Sequence, residues 1–242
     1  YFRNMRVIFL FLIIPINILF SQFKLPVNDS VQNFLFAKSY SNDPLLITVN
    51  GLYHYKSDWN YTPFKVNTFK REIAKIDELN HANFFTKLIK KELYIISNGA
   101  GPVFKLDQNG FIRIDNSSPH KNQFGGARFV YNDKIHIYGG YGFWSFKNFI
   151  TFFDENIKQW DLFYNNSEYL PPGRWKPIYN LLDDKLYVLG GRSGSAGTIN
   201  RDESFSDIFY FDLINKEFVN LGSINKKLKT KYSLFSQPKL DN

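Results

Sequence analysis

The chain of 242 residues contains no cysteine and a single methionine. Without cysteine there is no disulfide, thiolate metal site, cysteine nucleophile or cysteine-linked lipid within these residues. Few alanines and one methionine argue against a helical bundle, which draws on strong helix formers. The four histidines, His54, His81, His120 and His136, show no ligand spacing, so no metal site is expected. No paired carboxylates and no Ser-His-Asp order stand out, and neither catalytic residues nor a cofactor are assigned. The basic excess, +8 overall, is spread along the chain. Its densest run, residues 226–231, reads as a solvated loop or strand edge, or as a patch for an anionic surface. No nucleic-acid partner is expected.

Long apolar runs are also scarce, with one exception. Residues 7–20 are almost uninterruptedly apolar, Met5-Arg6 stands before them and Ser21-Gln22 after. That order is the pattern of a secretory signal peptide cut after Ser21. The run is about fourteen residues long and holds Pro15 and Asn17, whereas a membrane-spanning helix wants roughly twenty apolar residues. A retained anchor or a buried strand are the other readings. Residues 1–21 are therefore set apart as a leader, with residues 1–4 upstream of an initiator at Met5. The expected destination is periplasmic, cell-surface or extracellular, with no stable membrane span after cleavage. Abundant Asn, Lys, Phe and Ile point to a bacterial source, so no glycan is assigned to the sequons at Asn60, Asn116 and Asn165.

Aromatic residues are plentiful, at 19% of the chain with 26 Phe and 15 Tyr, as suits strands packed face to face. The pattern repeats. Asn132-Asp133-Lys134-Ile135-His136-Ile137-Tyr138-Gly139-Gly140 returns as Asp183-Asp184-Lys185-Leu186-Tyr187-Val188-Leu189-Gly190-Gly191. Each copy is a turn, a strand and a Gly-Gly pair. A strand ending in Asp154 precedes Trp160, and another ending in Asp212 precedes Phe218, by six positions in both cases. Four short strands per unit, joined by tight turns, are the make-up of one propeller blade.

These residues resemble the kelch repeat. Pro171-Pro172-Gly173-Arg174, Gly190-Gly191 and Tyr210-Phe211-Asp212 match one copy, and Gly139-Gly140, Asp154 and Trp160 match the other. Gln123 stands where the first-strand Arg of that family falls, and Phe218 replaces its Trp. The resemblance implies an all-β, kelch-like β-propeller over residues 22–242, with three to four four-stranded blades in view. Clear units span 120–167 and 171–224. Degenerate ones fill 34–118, where residues 91–99 and the Asn109-Gly110 hairpin occupy matching slots, and 225–242 read as the start of another. Residues 69–79 are ambiguous, since Phe69, Ile73, Ile76 and Leu79 fit a helical face. Kelch-like propellers usually have six or seven blades, so the expectation is an incomplete propeller, the N-terminal part of a longer one.

The Gly-Gly pairs are followed by strand rather than helix, which speaks for backbone geometry and against a phosphate cradle. The loops after them are the binding candidates. One carries Tyr141, Phe143 and Trp144; the other, residues 192–202, is polar and carries Arg192 and Arg201. Aromatics with arginines suit a sugar or a peptide; alternatively, Phe143 and Trp144 pack between blades. The expected function is recognition of a protein or glycan partner without catalysis. The alternatives are part of a galactose-oxidase-like carbohydrate enzyme with its catalytic residues elsewhere, or the sensor propeller of a signalling protein. The copper cofactor of the former needs a cysteine that this chain lacks.

Overall fold

The computed structural model describes residues 26, 33–117, 122–194 and 203–224. The leader, residues 225–242 with their basic run, His120 and Arg201 lie outside the described residues.

Four antiparallel sheets of four strands follow one another along the chain. Sheet I is β1 (Phe34–Lys38), β2 (Pro44–Thr48), β3 (Gly51–Tyr55) and β4 (Trp59–Pro63). Sheet II is β5 (Phe84–Ile89), β6 (Glu92–Ser97), β7 (Val103–Asp107) and β8 (Gly110–Arg113). Both are simple meanders, each strand pairing with the next. Sheet III is built from β9 (Ala127–Tyr131), β10 (Lys134–Tyr138), β13 (Ile150–Asp154) and β14 (Gln159–Phe163). A small hairpin, β11 (Tyr141–Gly142) and β12 (Ser145–Phe146), is inserted between β10 and β13. Sheet IV repeats that plan with β15 (Ile178–Leu182), β16 (Lys185–Leu189), β19 (Asp207–Asp212) and β20 (Glu217–Ser223). Its inserted pair is β17 (Arg192–Ser193) with β18 (Glu203–Ser204).

The first strands of sheets III and IV begin later than the sequence pattern suggests. Gln123 and Arg174 precede β9 and β15 rather than lying in them. Their side chains are wholly buried and hold loop carbonyls, which removes those segments from the ladder. The ambiguous stretch resolves as a helix, α1 (Thr68–Ala74), whose Phe69 and Ile73 are buried one turn apart. The Phe69 ring sits 5.4 Å from Phe104 and 5.1 Å from Phe111 of sheet II. Burying one such phenyl contributes roughly 1.5–3 kcal/mol.

Successive sheets pack face to face because their strands alternate apolar residues on both sides. In β6, Leu93 and Ile95 join a core with Leu35, Leu45 and Ile47 of sheet I. The intervening Tyr94 and Ile96 point the other way, into a core with Ile135, Ile137 and Phe153 of sheet III. Tyr138, on the opposite side of β10, belongs to the core shared with Leu186, Val188, Phe209 and Phe211 of sheet IV. The first strands of neighbouring sheets approach one another, β1 beside β5 and β9 beside β15. From Asn33 onward the described residues form one compact unit.

Tight turns carry the left-handed conformations that such hairpins need. Asn132 and Asp133 have φ of 47° and 58°, and Asp183 has 49°. Asp154 and Asp212 accept backbone N–H groups two residues on, from Asn156 at 2.9 Å and Ile214 at 3.0 Å. Those bonds explain the matching six-residue spacing to Trp160 and Phe218. The Trp160 indole donates to the Gly101 carbonyl at 2.8 Å, tying sheet III to sheet II. Tyr210 lies on the far face of sheet IV, its ring 5.5 Å from Tyr187.

Candidate functional site

The site grows from what the Gly-Gly pairs do to the backbone. Gly139 and Gly140 have φ of 70° and 96°, Gly190 and Gly191 of 63° and 94°. Each pair turns the chain out of its second strand into the inserted hairpin. No Cβ fits at Gly140, because the Gln123 backbone occupies its place. Gln123 Nε2 donates to the Gly139 carbonyl at 3.0 Å and to Ile137 at 3.2 Å, while Thr151 donates to its Oε1. In sheet IV, Arg174 Nη1 donates to the Gly190 carbonyl at 2.7 Å. Its guanidinium also grips both Asp207 oxygens, at 2.8 and 2.6 Å, between the rings of Phe205 and Phe209. Gln123 and Arg174 thus make the same bond to the first glycine's carbonyl in their respective units.

The residue after each of these anchors pairs with the residue after the glycines. Phe124 and Tyr141 exchange two backbone bonds of 2.9 Å, and Trp175 and Arg192 exchange bonds of 2.9 and 3.0 Å. The Lys176 N–H donates to the Gly125 carbonyl at 2.7 Å, joining the two pairs. Tyr141, Phe124-Gly125, Trp175-Lys176 and Arg192 thus lie along one continuous backbone ladder. Two loops about fifty residues apart in sequence are brought together by it.

On this base the β11–β12 hairpin presents its aromatics. Tyr141 is half-buried with its ring 4.9 Å from Phe146. Phe143 and Trp144 form the turn and are 63% and 74% exposed, so they do not pack between sheets. Both have left-handed backbones, at φ 45° and 62°. Bulky side chains are rare there, and such strained residues cost about 1–3 kcal/mol each. Phe124, Tyr141, Gly142, Phe143 and Trp144 line an open pocket of about 390 Å³, within the range that holds small ligands.

Cations sit on the segments that adjoin these residues along the chain or through the backbone ladder. Lys147 is half-buried, and its ammonium donates to Ser145 Oγ at 2.6 Å. Burial pushes its pKa below the ordinary lysine value. Lys176 lies 4.4 Å over the Trp175 ring. Arg192 is half-buried in β17. Among the described residues, no group of three or more His, Asp or Glu is placed to hold a metal. His136 is buried, stacked 5.1 Å from Phe129, and burial lowers its pKa to about 4.

Sequence reading missed Phe124, Trp175, Lys147 and Lys176. The first two were visible in principle, as an aromatic following the buried Gln or Arg in both units. Lys147 directly follows β12 in sequence, whereas only folding places Lys176 next to Gly125.

No protein-family model and no curated protein matches this chain.

Proposed function

We propose that the chain is a run of kelch-like β-propeller blades, exported by its leader, that serves as a binding module for a glycan or protein partner. The fold supports this reading through four successive four-stranded antiparallel sheets, stacked in chain order, with β1 beside β5 and β9 beside β15. The Gly-Gly turns and the shared anchoring by Gln123 and Arg174 support it further. Export rests on the pattern of residues 5–22.

The single observation that carries the binding role is the turn of the β11–β12 hairpin. A two-residue turn with both φ positive is normally filled by Asn or Gly. Phe143 and Trp144 stand there instead, exposed and strained. Such strain persists where the exposed rings are used, and rigid aromatics give large contact area at little entropic cost. The test is partner capture by the exported protein and by its Phe143→Asn/Trp144→Gly variant. Loss of the captured partner with the fold intact is expected; unchanged capture overturns the assignment.

A further inference from the structure

We propose that the ligand of the hairpin site is an anionic glycan, one bearing carboxylates or sulfates on its sugar rings; this rests on the binding reading above. The open pocket of about 390 Å³ is lined in part by Phe143 and Trp144. Flat, exposed rings on a short rigid hairpin offer apolar faces to the C–H faces of sugars. A peptide would want a strand edge to pair with or a groove to lie in. The hairpin is only two residue pairs long.

The charge comes from two lysines. Lys147 Nζ reaches Ser145 Oγ, and Ser145 pairs with Gly142 of the pocket wall. Lys176 is bonded through its backbone to Gly125, next to Phe124 of the same wall. Among the described residues, neither lysine has a carboxylate within ion-pair distance. Elsewhere several lysines are paired: Lys90 with Asp133, Lys105 with Glu92 and Glu155, Lys134 with Asp154. An ammonium whose hydrogen-bond partner among the described residues is a hydroxyl retains its attraction for an incoming anion.

Backbone strain points the same way. Lys176 has φ of 48° and occupies the slot that Gly125, with φ of 69°, fills one unit earlier. A glycine would relieve that position. The sequence instead places a cation there, stacked on Trp175 and bonded through its backbone to Gly125, the neighbour of Phe124 in the pocket wall.

The experiment measures binding of the protein to polygalacturonate and dextran sulfate, with methyl-esterified polygalacturonate and unmodified dextran as uncharged counterparts. Polyglutamate serves as an acidic peptide of matching charge. Binding to at least one anionic polymer, weakened about tenfold by Lys147→Gln or Lys176→Gln, is expected. The uncharged polymers and polyglutamate should bind far more weakly. Equal binding of charged and uncharged polymers, no effect of either lysine substitution, or no binding to either anionic polymer overturns the anionic class. Equal binding of polyglutamate overturns the glycan. Loss of charge discrimination while Trp144→Ala still abolishes binding defeats this inference alone. Full binding by Phe143→Ala/Trp144→Ala defeats the site itself. Circular dichroism of each variant separates binding loss from misfolding.

Discussion

Single residues hold the inserted loops to the sheets. Arg174 is wholly buried and its charge is balanced by Asp207. Removing one partner of such a pair leaves the other charge stranded, at about 3–5 kcal/mol. Arg174→Ala should therefore lower the unfolding free energy by that amount in urea titrations. Gln123→Ala removes neutral hydrogen bonds and should cost about 1–3 kcal/mol. An equal cost for the two would refute the difference between a charged and an uncharged anchor.

His136 gives a pH signature at the same scale. Burial holds its pKa at about 4 in the folded state, against roughly 6.5 in the unfolded chain. The unfolded state then binds the proton first. Stability is intact above pH 6.5 and is lost progressively as pH falls towards 4, by ~3 kcal/mol for this group. His136→Phe should flatten the stability–pH curve in that window relative to the parent. Other groups, such as Asp154 and Asp212, whose pKa values are also lowered, leave acid sensitivity in both proteins, so the difference curve is the readout. A difference curve that is flat from pH 6.5 to 4 would refute the buried neutral imidazole.

At the scale of elements, the β11–β12 turn puts two bulky aromatic residues into left-handed backbone. Replacing Phe143 and Trp144 by Asn and Gly should raise stability by about 1 kcal/mol, since two bulky left-handed residues are relieved. Thermal denaturation would show an increased Tm together with lost partner binding. A fall in Tm would mean that the rings support the fold rather than a ligand. The glycine pairs behave in the opposite sense. Gly140→Ala must displace the Gln123 backbone, whereas at Gly190 the nearest atom to a new Cβ is the Phe205 carbonyl at 3.3 Å. Gly190→Ala should cost about 1–2 kcal/mol from φ alone, and Gly140→Ala clearly more.

For the whole molecule, apolar side chains exposed on the first and last described sheets matter. Sheet I carries Phe36 and Tyr61, 40% and 46% exposed, on the side away from sheet II. Leu182, 53% exposed, lies on sheet IV on the side away from sheet III. Exposed apolar side chains of this kind bind hydrophobic dyes and promote association where they cluster. Phe36→Lys combined with Leu182→Lys should lower both dye fluorescence and concentration-dependent light scattering, with unfolding free energy changed by about 1 kcal/mol or less. Unchanged scattering would place the sticky surface elsewhere.

The later half of the fold was legible in the sequence because its turns are chemically marked. Asp154 and Asp212 cap their turns through side-chain oxygens, and Asn132-Asp133 tolerates positive φ, so the residue types reveal the geometry. Sheet I and sheet II were fainter. Lys90 and Lys91 take φ of 48° and 70° in the turn before β6, and lysine does not announce such a backbone. β1, β4 and β5 carried no turn signature strong enough to be anticipated. Helix α1 was undecidable, since Phe69, Ile73 and Ile76 fit a helix while a blade pattern demanded a strand.

The sequence by itself determined the all-β class, the repeat of turn, strand and Gly-Gly, and the loops in which recognition is proposed. Those follow from local chemistry: side-chain alternation, turn-forming residues and backbone freedom at glycine. Only the tertiary structure decided that Phe143 and Trp144 face outward and that Tyr141 and Arg192 lie on one ladder. It alone set Lys176 next to Gly125. The ladder and the Lys176 bond are relations between units about fifty residues apart. They depend on how one sheet stacks on the next, which no local pattern encodes.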